Sequence, residues 1–357
     1  MGSPVSHPAQ QPTARGRTRN GTGASPRAKE ALGAELVTDF EKLCGRPTIG
    51  MFDICKDIAS IAVTAVAGHL IGHGIGPLLA ILYIGVRQRH LSNLAHECVH
   101  SKLMATRKWN RFVGYLLTAL LGEGFLPYRR SHAVHHAKLG SGDDPMWQSY
   151  RAGNIRAAGP SPSRRSFVWR VIVRSAVWRL PKTAALTLVT KSPEEMWRAL
   201  AARAVLWAGI IAACWPFDAV GTFLLYWLLP LIFVRPVVTW TTDLGNHAGV
   251  IEHEDVLLQT RGWSSHWLTR HLLGGHLDDM YHPLHHWCPQ IPWRRLPEAA
   301  ALASRKLDRW DEVPWCSGYF FRRRSTPDQP CVLEDIIGRL QANSTTSCAP
   351  RAQDEAA

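Results

Sequence analysis

The sequence predicts an all-α integral membrane protein, with about four transmembrane helices arranged as two hairpins and a cytosolic helical cap that carries the chemistry. Three observations carry that expectation. Ile58 to Val86 is an uncharged run of 29 residues, and Ala204 to Val234 is a second run broken by Asp218. Belts of Lys and Arg flank both blocks. Three histidine clusters fall where an even number of crossings returns the chain to one face.

Composition explains why the whole-chain averages look soluble. The chain has 357 residues, 46% hydrophobic and 19% charged. Its mean hydropathy of −0.10 averages apolar blocks with polar ends. A net charge of +13 suits nucleic acid or an anionic membrane surface, and 15 tryptophans favour the membrane. The eight cysteines include no C-x2-C pair, so they read as reduced thiols rather than a disulfide framework.

Residues 1 to about 35 are rich in Pro, Gly, Ser, Thr and Arg and read as a disordered basic tail with no apolar run for a cleavable signal. Met1-Gly2 with Ser6 matches a short acylation pattern, as chance also would. Residues 36–312 read as one membrane domain and 313–357 as a polar C-terminal tail, disordered from about 341.

Within the first block, a single span needs about 20 residues. Gly68, Gly72, Gly74, Gly76 and Pro77 divide the block into two helices, the first beginning before Ile58 and the second running past Arg87. His69 and His73 lie in the break and are expected as loop residues. Lys102, Arg107, Lys108 and Trp109 then form an interfacial belt. Residues 112–122 are apolar but reach about 17 Å as a helix, short of a core of roughly 30 Å. They are expected to lie in or dip into the membrane without crossing it, so that the histidine clusters on either side of them emerge on one face.

From Met146 to Pro193 there are nine Lys or Arg and no acid. Arg165 to Arg174 mixes Arg with large apolar residues, the pattern of a helix on anionic lipid. Its apolar flanks argue against a nucleic-acid patch. The second block, counted from Trp197, gives two short spans with Pro216 at the turn and Pro230 kinking the later helix. The basic belts make the shared face, and with it both termini, cytoplasmic. Residues 298–312 read as an amphipathic surface helix.

The three clusters are His96-Glu97-Cys98-Val99-His100, His132-Ala133-Val134-His135-His136 and His282-Pro283-Leu284-His285-His286. They hold eight of the 17 histidines. Residues three or four apart on a helix share a face, and neutral imidazole is the commonest metal ligand. One such cluster could be surface histidines; three in order point to a metal. A structural zinc uses four ligands, usually with Cys, so eight are too many for one ion. His247, in Asp243-Leu244-Gly245-Asn246-His247, is a ninth candidate, and nine suit two ions. Imidazole suits Zn, Cu, Fe and Ni alike, so spacing leaves the metal open. Asp279 and either Asp143 or Asp144 are candidates to orient imidazole N–H groups. Asp243 is a candidate to hold a metal-bound water or a ligand N–H. Asp143-Asp144-Pro145 also suits a plain turn, and Glu97 a paired neighbour of the ligands. Pro283 suits a helix with His282 at the N-cap and Pro283 first. The other eight histidines are expected in loops or on the surface.

On these motifs the chain resembles the membrane fatty-acid desaturase and hydroxylase superfamily, the histidine-box diiron enzymes. Tyr128-Arg129-Arg130-Ser131 ahead of the second cluster, Asp143-Asp144-Pro145 behind it, and Asp279-Met280-Tyr281 ahead of the third belong to the likeness. So do Pro289-Gln290-Ile291-Pro292 and Leu296-Pro297, and the likeness covers about residues 50 to 300. It implies two iron ions on His96, His100, His132, His135, His136, His247, His282, His285 and His286. It also implies O2 as oxidant and electrons from a separate ferredoxin or cytochrome b5 type protein. The implied activity is desaturation of an aliphatic chain: an acyl lipid, an acyl carrier, or a small amino-acid-like metabolite such as an enol-ether toxin precursor. Hydroxylation or ketolation at the same centre is the alternative. A non-enzymatic membrane metal carrier is remote, because it would carry loose His-rich loops and polar spans. Leu284 stands where the family often has a polar residue.

Overall fold

The computed structural model describes residues 23–45, 50–72, 74–152, 155, 163–174, 193–273 and 277–346. The Met1-Gly2 pattern, His7, His73, His276, Cys348 and residues 175–192 lie outside the described residues.

Residues 26–35, expected within a disordered tail, are helical and packed. Ser25 caps α1 (Pro26–Leu32) by accepting from the Ala28 N–H, with Pro26 at the first helical position. α2 (Ala34–Leu43) follows. Ala28, Leu32, Leu36 and Phe40 recur every four residues and are all buried, which is the helical stripe that the tail's Pro, Gly and Ser content obscures.

α3 (Gly50–Ile71) and α4 (Ile75–Val99) cover the first apolar block. The chain turns between them at Gly72 and Gly74, both with positive φ. A Cβ on Gly68 would lie 2.5 Å from the Ala80 Cβ, so glycine is what lets the two helices close together. Arg87 pairs with Asp57 across this contact, both buried. The outer faces carry exposed Val63, Val66, Leu70 and Leu79. Among the described residues, three helices are long and apolar enough to cross a membrane: α3, Leu200–Phe217 and Val220–His247. The second continues α9 (Pro193–Cys214) and the third is α10. α10 widens into a π-helical turn at Leu224–Leu228, just ahead of Pro230. That turn holds the carbonyls a proline ring would otherwise strike.

α5 (Arg107–Leu120) is amphipathic: Val113, Gly114 and Leu117 are buried while Trp109, Phe112 and Leu116 are exposed. α6 (Phe125–Ala137) and α7 (Pro145–Ala152) follow. α8 (Arg164–Phe167) runs on as a π-helix, Val168–Val173. It buries Phe167, Val171 and Ile172, and the Val171 carbonyl accepts from Trp240 Nε1 of α10 at 2.7 Å. Beyond α10 come β1 (Gly262–Ser264), α11 (Trp267–Leu272), α12 (Leu277–Met280), α13 (His282–Trp287) and α14 (Leu296–Lys306). β2 (Trp315–Ser317) pairs parallel with β1, with Trp263 opposite Cys316.

Residues 313–340, expected as a polar tail, close the core instead. α15 (Val332–Thr346) buries Val332, Leu333 and Ile336 with Trp240, Leu244 and Tyr319. Its apolar residues lie on one helical face, a signal diluted by the arginine run at 322–324.

Candidate metal centre

The three histidine clusters sit at the ends of three helices. His96 lies in the last turn of α4 and His100 is its C-cap. His132, His135 and His136 fill the last two turns of α6, and α13 is little more than its own three histidines. α10 ends on His247. The N-cap of α13 is Tyr281 rather than His282, and Pro283 is the second helical residue. His282 is therefore held in the first turn, where its Nδ1 reaches the Asp278 carbonyl at 3.1 Å.

The nine imidazoles form two groups, each with one nitrogen per residue within 4.8 Å of the others: His96, His100, His132, His136 and His285, then His135, His247, His282 and His286. Helix geometry explains the division. Residues four apart, such as His96 and His100 or His132 and His136, lie one above the other and join the same group. Adjacent residues diverge by about 100°, so His135–His136 and His285–His286 each send one ring to either group.

The spacing of the nitrogens fits shared cations and is too crowded to be met by hydrogen bonds alone. His132 Nε2 lies 2.9, 2.8 and 2.9 Å from Nε2 of His96, His100 and His136. A neutral ring nitrogen is one donor or one acceptor, so three such contacts cannot all be hydrogen bonds. Two nitrogens each about 2.1 Å from one ion, at right angles, stand about 3.0 Å apart. His282 and His247 Nε2 are 2.8 Å apart and His135 and His247 3.2 Å. His286 Nε2 is buried with no hydrogen-bond partner among the described residues. Burial first, then neighbouring imidazoles, holds His132, His136, His285 and His286 well below the usual imidazole range and His282 at about 3. Those five rings are thus held toward the neutral form, which metal ligation requires.

The opposite edges of the rings are tied down. Asp278 Oδ2 accepts from His96 Nδ1 and Asp144 Oδ1 from His135 Nδ1, each at 2.9 Å. Such bonds fix the tautomer and leave the Nε2 lone pair pointing inward.

Comparison with known proteins agrees with this arrangement. The fatty acid desaturase family profile matches residues 73–317. The chain is similar to a dihydrorhizobitoxine desaturase of Bradyrhizobium elkanii, 30% identical over 281 residues, covering 75% of this chain and 79% of the relative. It is also similar to a probable fatty acid desaturase, DES1, of Sorghum bicolor, 26% identical over 255 residues, covering 63% of this chain and 62% of the relative. The chain belongs to the fatty acid desaturase family.

The desaturase places the expected acids unevenly. Of the pair Asp143 and Asp144, Asp144 lies behind a histidine, while Asp143 is on the surface with Lys138. Asp279 accepts from Arg89 at 3.0 Å and Asn93 at 2.8 Å, and it is the adjacent Asp278 that meets His96. Sequence reasoning selected Asp279 from its distance to His282, but the partner is on α4, which spacing within one helix cannot reveal. Asp243 lines a cavity of about 160 Å3 against His96, His132, His135, His247 and His282. Glu97 is buried and its carboxylate accepts from the Trp293 N–H at 3.4 Å.

Arg261 was missed altogether. It is fully buried, donates to the Gly245 and Ala248 carbonyls at 2.8 and 2.9 Å, and pairs with Asp335 of α15 at 2.6 Å. Its backbone N–H donates to the Asn246 carbonyl at 2.8 Å. The last carbonyls of α10 are capped on both sides of His247, a cation at the negative end of the helix.

Proposed function

We propose that this desaturase introduces a C=C bond into an aliphatic substrate, using O2 and two iron ions held by the nine histidines. The observation that carries it is the division of those histidines into groups of five and four with inward Nε2 atoms. Bound there, the iron pair would supply the O2-derived oxidant for removing two hydrogens from unactivated carbons. The balance is one O2, two electrons, two protons and two substrate hydrogens giving two waters and the alkene. An external ferredoxin or cytochrome b5 type protein would deliver the electrons.

The side chains have separable tasks in this reading. Asp278 and Asp144 hold His96 and His135 in one tautomer. Asp279 anchors Arg89 and Asn93, and all three line the cavity together with Asp243. The apolar helices support a membrane-embedded architecture of about four spans in two hairpins: α3 with α4, and α9 with α10. The Lys and Arg belts beside α5 and α8 support a cytoplasmic position for the histidine face. The catalytic unit would then run from α1 through α15, wider than the 36–312 segment. The substrate classes are acyl lipids, acyl carriers and small metabolites of the sort named for the Bradyrhizobium relative.

Purified protein is expected to hold about two irons per chain. With reduced donor and labelled O2 the product should be an alkene without label. A labelled alcohol would establish the hydroxylase alternative, and one zinc with no O2 uptake would sink the proposal.

A further inference from the structure

The face of α6 that presents His132 and His136 carries an arginine one turn earlier. Phe125, Arg129, His132 and His136 recur at steps of four and three residues and form one stripe. Arg107, Arg111 and Gly114 form such a stripe on α5. The stripes meet at Gly114, where a Cβ would lie 2.3 Å from the Phe125 ring. That contact brings Arg129 to the same cavity as Arg107 and Arg111, a space of about 410 Å3. Ligand cavities run to about 300–1,000 Å3. His100 is the one member of the nine histidines in its wall, so the space lies beside the metal centre and is not the gap between its ligands.

Its charge is of one sign. The three arginines are exposed, while Cys98, Val99 and Phe125 in the same wall are buried. Among the described residues no acid lines the cavity and none pairs with these arginines. Residues 1–22 and 46–49, outside the described set, contain no Asp or Glu. From Cys98 to Gly142 there are seven Lys or Arg and one acid, Glu123, which pairs with Arg235. Three guanidinium groups around one space repel each other until an anion joins them. A phosphate, with three or four oxygens and up to two charges, matches three such forks; a carboxylate, with two oxygens and one charge, leaves a fork unmatched.

We propose that this cavity binds the phosphate group of a membrane lipid through Arg107, Arg111 and Arg129. The other side of α5 points to lipid as the source. At 100° per residue, Trp109, Phe112 and Leu116 lie opposite the arginine stripe, and all three are exposed. With those side chains in the acyl region, the arginine face rises into the headgroup layer, roughly 5–7 Å deep on each side of the hydrocarbon. Val99 and Phe125 give the lipid's first carbons an apolar wall beside His100. That this lipid is the substrate rests on the desaturase reading above; that the cavity binds its phosphate does not.

Calorimetric titration of the full chain in uncharged detergent tests it with four probes: dihexanoyl phosphatidate, dihexanoylglycerol, hexanoate and inorganic phosphate. Phosphatidate is expected to bind at least ten-fold more tightly than each of the others. Arg111→Gln combined with Arg129→Gln should remove its advantage over dihexanoylglycerol. Lys108→Gln, an exposed neighbour outside the cavity wall, should leave that advantage within two-fold. Equal binding of dihexanoylglycerol or hexanoate overturns the proposal, as does a preference that survives the double variant or is lost equally with Lys108→Gln. Inorganic phosphate binding as tightly as phosphatidate keeps the phosphate site and overturns the lipid as its source. Size-exclusion elution reports whether the double variant is folded; if it is not, Arg111→Gln alone decides, with a loss of at least three-fold expected and no loss overturning the site. None of these titrations needs turnover, so a failure to form alkene sinks the desaturase reading and leaves the phosphate site standing.

Discussion

His132 is the residue with most to lose by substitution. Its Nε2 touches three others of its group, so His132→Ala should release the metal of that group. Iron content is expected to fall to about half and alkene formation to background, read by metal analysis and product chromatography. Behind the ligands the effect should be graded. Asp278→Asn and Asp144→Asn keep the side-chain shape but weaken the hold on the ring, at about 10–100-fold in metal affinity or activity, read by competition with a chelator. The histidines that gather into the two groups were legible in the sequence because residue type and helical spacing together single them out. Asp278 was not, because Asp278 and Asp279 are neighbours in the chain and their roles are decided by His96 and Arg89 on α4.

At the scale of elements, α4 and α10 are held close by one missing side chain. A Cβ on Gly85 would lie 2.4 Å from the Val234 Cβ. Gly85→Val is therefore expected to destabilise by about 1–3 kcal/mol through overpacking and to lower metal content, since these helices carry His96, His100 and His247. The clamp at the end of α10 should matter more. Arg261→Ala strands a carbonyl pair and Asp335, at about 3–5 kcal/mol for a broken buried pair, seen as a lower unfolding midpoint. Burial tends to raise the Asp335 pKa, but Arg261 and Arg339 outweigh it and leave it lowered. A carboxyl lowered by folding contributes stability that is complete above its unfolded value, near pH 4, and is lost as pH falls through the folded one. Asp335→Asn should accordingly flatten the acid limb of the stability curve. A curve as steep as that of the unaltered protein would refute this. Nothing in the local sequence around Arg261 signals the clamp, because its partner is 74 residues away.

Across the described residues, apolar helices carry exposed Val, Leu and Ile on their outer faces while the histidines converge in two groups. The long helices were legible from uncharged runs, whose length a membrane sets. The packed ends of the chain were not, because their apolar residues are sparse and separated by arginine, glycine and proline. α1 and α15 nevertheless bury Leu32, Val332 and Ile336 almost completely. A chain stopped after residue 330 should lose Cys331, Val332 and Ile336 from the core and with them the Asp335 clamp. It is expected to aggregate on extraction, where the full chain gives a single species by size-exclusion chromatography.

The adjacent histidines of α6 and α13 give the centre one more property. Because each of these helices sends a ring to both groups, neither ion could be seated without fixing the backbone that presents ligands to the other. The first ion would bear the entropy of ordering both helices, and the second would find them already in place. In the unaltered protein uptake should therefore be cooperative, with half-loaded chains scarce at every metal concentration.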